Sequence, residues 1–103
     1  IEAPVATAEI LGRRVSCAGG GWFRAAPYVL SKNLLDRASA SLKGPAIFYL
    51  HPWEIDPRQP RIDAAPWKSK LRHYVNLGAM EKKLARLLGA YQWMRVDTAL
   101  GLA

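Results

Sequence analysis

The sequence predicts an α/β fold in which strands alternate with helices around a partly parallel sheet. Three observations support this class: two short strand-like segments near the start, a helical stretch after them, and a continuous apolar run at 46–50 bounded by prolines. Strands that alternate with helical segments are typical of βαβ units, which form parallel sheets. The 103 residues suit a single domain with a modest hydrophobic core.

The first two strands are predicted at 7–11 and 14–17 from their β-branched and apolar residues. Gly12 and Arg13 lie between them and are expected to form the turn of a hairpin. The run Ala18-Gly19-Gly20-Gly21 follows and predicts a loop, since glycine is a poor helix former.

Three helices are predicted from periodicity. The longest covers 27–42, because Pro27 suits a first turn and apolar residues recur on one face, at Leu30, Leu34, Ala38 and Leu42. Gly44-Pro45 is expected to end this helix. A second helix is predicted over 78–90, and 66–74 could form a shorter one.

The apolar run at 46–50 predicts a strand that is buried on both faces, as in a parallel sheet. His51 follows directly, which places it at the carboxyl end of that strand, where open α/β sheets bind ligands. The segment 52–66 contains four prolines and predicts a long loop. Trp53 and Ile55 indicate that this loop packs against the protein. A last strand is predicted at 93–96.

The composition of the chain limits the classes of function that it can have. A net charge of +7 and a pI near 10.0 would attract polyanions such as nucleic acid, a membrane surface or an acidic glycan. The charges fall into three small groups without a recognised nucleic-acid-binding motif, so a solvated surface is favoured over a nucleic-acid binder. The sequence has no apolar stretch of the ~20 residues that a membrane span needs.

Two single residues carry information about processing and redox state. The chain begins with Ile1 and shows no signal peptide, which is expected of a fragment of a longer protein. Cys17 is the one cysteine, so an internal disulfide is excluded, and we expect it to be a small core residue.

His51 is the first candidate for chemistry, because imidazole titrates near neutral pH and can act as a general acid or base. Glu54 and Asp56 follow closely and could hold the ring protonated. A purely structural role at the strand end remains an alternative. His73 is expected at the surface, in packing or in substrate binding. Two distant histidines without a cysteine cluster do not make a zinc site.

The segment Gly19-Gly20-Gly21-Trp22-Phe23-Arg24 has two interpretations. Glycines let the backbone approach a ligand, and aromatic rings stack on sugars, so the segment could bind a glycan. It could equally be an ordinary turn followed by two core aromatics. Trp53 and Trp67 have the same two interpretations.

Together these segments resemble the C-terminal region of NodB-like polysaccharide deacetylases of the type found beside exopolysaccharide and exosortase loci. The likeness covers about residues 1 to 93, and its most specific block is the run from Phe48 to Pro57. The matching stretches read IEAP at 1–4, GGGWFR at 19–24 with Pro27-Tyr28, FYLHPWEIDP at 48–57, QPR at 59–61 and RHYVNL at 72–77.

The resemblance implies that residues 1–103 form a single unit, the C-terminal part of a distorted (β/α) barrel. Such enzymes remove N-acetyl groups from glycans with a divalent metal, usually zinc. Its Asp and His ligands and an Asp base belong to an N-terminal half whose motifs this chain lacks. The polysaccharide substrate and that N-terminal half are therefore the expected partners.

The resemblance also assigns roles to residues of this chain. Leu50-His51 matches the last motif of the family, so His51 would be the general acid that protonates the departing amine. Leu50 would line the pocket for the acetyl methyl group. The expected substrate-binding residues are Trp22, Phe23, Arg24, Trp53, Glu54, Arg72 and His73. A non-catalytic carbohydrate-binding or cap domain is the alternative, with Trp22, Phe23, Trp53 and Trp67 as stacking platforms.

Overall fold

The structure, a computed structural model, describes residue 3 and residues 5–102. In chain order its elements are β1 (Thr7–Ile10), β2 (Arg13–Ser16), α1 (Gly20–Ala25), α2 (Tyr28–Ser41), a 3₁₀ helix (Pro52–Ile55), α3 (Trp67–Tyr74), α4 (Leu77–Ala90) and α5 (Val96–Ala99). The three predicted helices are therefore confirmed to within one residue at each end. Of the matching stretch IEAP, residues 1, 2 and 4 lie outside the described residues.

Strands β1 and β2 form an antiparallel hairpin in which Thr7 pairs with Ser16 and Ile10 with Arg13. Leu11 and Gly12 make the two-residue turn, both at positive φ (50° and 77°). Positive φ at both positions is the geometry of a type I′ turn, whose twist matches that of the strands it joins. The first strand therefore ends one residue earlier than predicted, because the turn requires Leu11.

The loop predicted at 18–21 is shorter than expected, because Gly20 and Gly21 already belong to α1. The first turn of α1 is closed by a bond from the Phe23 amide to the Gly19 carbonyl at 3.0 Å. Phe23 and Arg24 are completely buried. Tertiary burial thus stabilises a helix whose glycines alone would disfavour it by about 1 kcal/mol each.

The predicted buried strand at 46–50 is not formed. A single parallel bridge joins Tyr49 to Gly19, with bonds of 3.0 Å from the Gly20 amide to the Tyr49 carbonyl and from the Tyr49 amide to the Ala18 carbonyl. Residues 46–48 are only half-buried and Tyr49 is exposed. The predicted last strand at 93–96 is likewise absent, and α5 starts at Val96 instead.

The core lies where the hairpin, α1, α2 and α4 meet. Its buried members are Ala6, Ala8, Cys17, Ala18, Phe23, Leu34, Leu35, Ala38, Met80 and Leu87. Cys17 is fully buried, as predicted for a core residue, and burial raises the pKa of its thiol. A thiol of this kind is unreactive. Among the described helices, none has the length and apolar character to cross a membrane.

Candidate functional site

A cleft of about 340 Å³ lies where α1, the segment 49–54 and α3 meet. It brings together six of the residues that sequence analysis singled out: Arg24, His51, Trp53, Glu54, Arg72 and His73. A second hollow of about 260 Å³ lies between α2, residues 45–48 and α5. Its lining is mostly apolar and includes no histidine or carboxylate, so we place the candidate chemistry in the first cleft.

The His51 ring lies at the mouth of this cleft with 59% of its side chain exposed. Its Nδ1 lies 3.5 Å from Oε2 of Glu54, and the backbone amide of His51 donates to that same oxygen at 2.8 Å. The Trp53 ring is nearly parallel to it, at 5.9 Å between centroids, and Tyr49 meets it edge-on. The ring makes no hydrogen bond to a described residue through Nε2, so that nitrogen can meet a ligand.

Glu54 and Arg24 form a buried ion pair beneath the cleft. The Arg24 Nε lies 3.1 Å from Oε1 of Glu54, and both side chains are at most 3% exposed. Sequence analysis predicted both as substrate-binding residues. The structure corrects that expectation, because their polar atoms are bonded to the protein itself. Their role is to shape the floor of the cleft and to hold the carboxylate beside His51.

The other nitrogens of the Arg24 guanidinium bind the C-terminal end of α3. Nη1 donates to the carbonyls of His73 and Val75, both at 2.9 Å, and Nη2 donates to the Arg72 carbonyl at 3.3 Å. The last turn of a helix leaves carbonyls without partners and carries partial negative charge, which a cation satisfies. Arg24 therefore joins α1, the 3₁₀ helix and α3 through one side chain.

His73 and Trp53 stack face to face, with 4.0 Å between centroids and 12° between planes. The His73 Nε2 lies 2.8 Å from Oε1 of Gln59. The Gln59 amide nitrogen donates to the carbonyls of Trp53 and Asp56, so its oxygen must be the acceptor towards His73. His73 therefore carries a proton on Nε2, and that nitrogen is engaged in the protein. Nε2 of His51, by contrast, has no partner among the described residues, and its ring lies at the mouth of the cleft.

The stacking of Trp53 limits it as a sugar platform. His73 covers one face of the indole, and the Arg24 guanidinium carbon lies 5.0 Å from the ring centre. Trp53 is half-buried as a result. We therefore regard Trp53 as a wall of the cleft that fixes the two histidines relative to each other.

Three other predicted site residues do not line the cleft. Phe23 is fully buried and meets Phe48 edge-on at 5.5 Å, so it is a core aromatic and not a surface for a sugar. Trp22 is 37% exposed on the outside of α1. Leu50 is half-buried next to His51.

Lys83 is a residue that sequence analysis did not single out. Its ammonium, from α4, donates to the carbonyls of Phe23, Arg24 and Ala26 at the end of α1. The Asn76 amide donates to the Arg24 carbonyl as well, at 2.8 Å. Burial lowers the pKa of Lys83. The one sequence signal is its place beside the apolar face of a helix, which many surface lysines share.

The long loop is held against α3 by Tyr74. The Ile62 amide donates to the Tyr74 hydroxyl at 3.0 Å, and the hydroxyl lies 3.4 Å from the Pro60 carbonyl. The Arg61 guanidinium lies over the same ring at 4.6 Å. The loop is thus bonded to α3 near Pro60 and Ile62 and Trp53 is half-buried, but Ile55, also expected to pack, is exposed.

Metal binding can be tested on the donor groups. In the part of the chain that the structure describes, no three His, Cys, Asp or Glu side chains come together to hold a metal ion. The resemblance assigns the metal ligands to an N-terminal half, so this finding concerns the described residues of this chain alone.

Comparison with known proteins gives one match. A family model described as "Domain of unknown function (DUF3473)" matches residues 1–101. Neither the curated proteins nor the solved structures contain a match to the chain.

Proposed function

Since the chain belongs to the DUF3473 family, we propose that it is the C-terminal part of a polysaccharide N-deacetylase. In this proposal it supplies the general acid, His51, and one wall of the glycan cleft. Support comes from the resemblance of the run from Phe48 to Pro57, and from the association of this family with the C-terminal regions of polysaccharide deacetylases.

The observation that carries the proposal is the placement of His51. Its ring is exposed at the mouth of a cleft, while a buried carboxylate lies beside Nδ1 and also accepts a bond from the His51 amide. This arrangement orients the imidazole and leaves Nε2 as the nitrogen that can reach a ligand. A general acid needs a proton donor within hydrogen-bond reach of the leaving group.

The chemistry proposed for His51 is proton transfer to an amine. When the bond between the carbonyl carbon and the nitrogen of an N-acetyl group breaks, the nitrogen leaves as a poor leaving group unless it is protonated. We propose that Nε2 of His51 donates that proton. Glu54 acts as a positioning residue, and Arg24 holds Glu54 in place.

The rest of the site would come from elsewhere in the whole protein. In this proposal, a partner half that forms most of a distorted (β/α) barrel would hold the metal and the base. It would also complete the pocket for the acetyl methyl group around Leu50, which the cleft described above does not include.

The test is the rate of acetate release by the whole protein in which this chain occurs. We expect His51→Ala to lower turnover at saturating glycan by about 10²–10⁴-fold, the usual contribution of a general acid. Metal content and thermal unfolding should stay at the wild-type level. Added imidazole should restore part of the activity of His51→Ala.

His73→Ala is the matched control, because His73 lines the same cleft but its Nε2 is bonded to Gln59. We expect a smaller loss of turnover and no rescue by imidazole. Wild-type turnover in His51→Ala would remove His51 from the reaction. If that variant also loses glycan affinity, the alternative of a non-catalytic carbohydrate-binding domain would take its place.

A further inference from the structure

We infer that the cleft binds a carboxylate group of an acidic polysaccharide, and that Arg72 is the residue that receives it. The inference deepens the proposed function and rests on it for the identity of the ligand as a glycan. It names the class of sugar next to the N-acetyl group: a uronic acid.

The charges around the cleft support this choice. Glu54 is the one carboxylate among the described residues that line the cleft, and it is neutralised by Arg24. The other three hydrogen bonds that Arg24 donates go to backbone carbonyls. Arg72 is therefore the cation left to meet a ligand, since its side chain forms no ion pair or hydrogen bond with the residues that the structure describes.

The position of Arg72 is fixed by the protein. Ser69, Arg72 and His73 face the cleft from α3, at the i, i+3 and i+4 spacing that shares one helix face. The Arg72 carbonyl accepts a bond from Arg24, which also binds Glu54, the partner of His51. The backbone of Arg72 is thus held relative to His51 by a chain of hydrogen bonds through Arg24 and Glu54.

A single arginine beside a pair of imidazoles suits a sugar carboxylate. A guanidinium binds a carboxylate through two parallel hydrogen bonds, which selects planar anions. Nucleic acids are instead bound through several phosphate contacts together with aromatic faces on which bases stack. In this cleft His73 covers one face of the Trp53 ring and the Arg24 guanidinium carbon lies 5.0 Å from the ring centre, so the indole has little room to stack on a base.

The experiment measures binding by calorimetry with the whole protein at low ionic strength. The probe is a hyaluronan octasaccharide, which alternates uronic acid with N-acetylglucosamine. The matched probe is the same octasaccharide with its carboxyl groups reduced to alcohols. We expect reduction to weaken binding by about tenfold, the value of one charge-assisted hydrogen-bonded pair.

Variants assign that preference to one residue. Arg72→Gln should bind both probes with the weaker affinity, and Arg72→Lys should recover only part of the difference. Arg37→Gln is the control, because Arg37 is exposed on α2 away from the cleft. It should keep the full preference for the carboxylated probe.

Four outcomes would overturn the inference: no measurable binding of the octasaccharide, equal affinity for the two probes, an unchanged preference in Arg72→Gln, or equally tight Arg72-dependent binding of an oligothymidylate of equal charge.

Acetate release is measured separately, so that failure of the inference and failure of the proposed reaction can be distinguished. Arg72-dependent preference without turnover would defeat the proposed reaction and support carboxylate binding. Turnover without preference would defeat only the inference.

Discussion

Gly20 and Glu54 are in such close contact that a side chain at position 20 would overlap the Glu54 carboxylate. Glu54 has no space to retreat, because it is buried and bonded to Arg24 at 3.1 Å. The absence of a Cβ at Gly20 therefore lets the carboxylate reach the position beside His51. The glycine is required here for close approach and not for its backbone freedom.

Gly20→Ala is expected to push Glu54 away from Arg24 and to destabilise the fold by about 1–3 kcal/mol, the usual cost of overpacking. Gly21→Ala is the matched control, since a methyl group there meets no atom within 4 Å. It should be neutral or stabilising by about 0.5–1 kcal/mol, because alanine is the better helix former. Urea unfolding of both variants measures the difference, and equal stabilities would contradict the contact.

Glu54→Gln keeps the shape of the side chain but leaves the Arg24 charge buried without its counter-ion. Breaking a buried pair in this way costs about 3–5 kcal/mol. Asp97→Asn makes the same change in the exposed pair between Asp97 and Arg95. That pair should contribute less than about 1 kcal/mol, because solvent screens it. Chemical unfolding measures the free energy of unfolding of both variants. If Glu54→Gln loses less than Asp97→Asn, the buried ion pair does not contribute to the stability of the fold.

Lys83→Met should destabilise the chain by about 1–3 kcal/mol, because it removes the donor from carbonyls at the end of α1. Lys82→Met, at the exposed neighbouring position, changes the charge by the same amount without touching those carbonyls. It should leave the midpoint of thermal unfolding nearly unchanged. A shift of equal size in both variants would assign the effect to net charge.

The ionised carboxylate of Asp36 contributes to the free energy of unfolding, and this contribution is lost at acid pH. Hydrogen bonds from Tyr91 and Lys32 lower the pKa of the Asp36 carboxyl. Because the folded-state pKa is the lower one, this stabilisation is present above the usual carboxyl pKa of about 3.9. It is lost as the pH falls through the folded-state value. Burial and the bond to Asp36 raise the pKa of Tyr91, so the phenol stays the donor throughout.

Tyr91→Phe should therefore lose about 0.5–1 kcal/mol of unfolding free energy near neutral pH, the value of one partly exposed hydrogen bond. Its deficit should shrink as the pH falls from about 3.9, the usual carboxyl pKa, through the lower folded-state pKa of Asp36. Tyr49→Phe is the control, because its hydroxyl bonds to no described residue. A Tyr91→Phe deficit that is constant from neutral to acid pH would contradict this linkage.

Helices α2, α3 and α4 and the hairpin could be predicted because their signals are local. Periodic apolar residues define α4, whereas on the predicted face of α2 Leu34 and Ala38 are buried but Leu30 and Leu42 are exposed. The turn at Gly12 follows from one glycine between two strand-like segments. Residues 46–50 have the composition of a buried strand, but strand formation needs a partner along the whole segment. The structure supplies it only at Tyr49. Similarly, α1 depends on the burial of Phe23, which is a tertiary effect. The three consecutive glycines before it predict a loop when the sequence is considered alone.

The members of the cleft could be predicted only in part, because Trp22, Phe23 and Leu50 lie outside it, and the roles of its residues could not be predicted. His51, Trp53 and His73 lie in one cleft, as their sequence blocks suggested. Arg24 and Glu54, expected to contact substrate, are bonded to each other across 30 positions of sequence. Such a pairing depends on tertiary geometry that no local pattern records. The spacing of three between His51 and Glu54 was the one available signal, because a carboxylate at that position can reach back to the preceding backbone amide.

The Arg24 guanidinium also has a consequence for cooperativity. Because this one group bonds to Glu54 and to the end of α3, fraying of the last turn of α3 would release the buried carboxylate at the same time. The amide of Val75 and the amides of His51 and Glu54, which lie far from it along the chain, should therefore exchange with solvent deuterium at similar rates, as one unfolding unit.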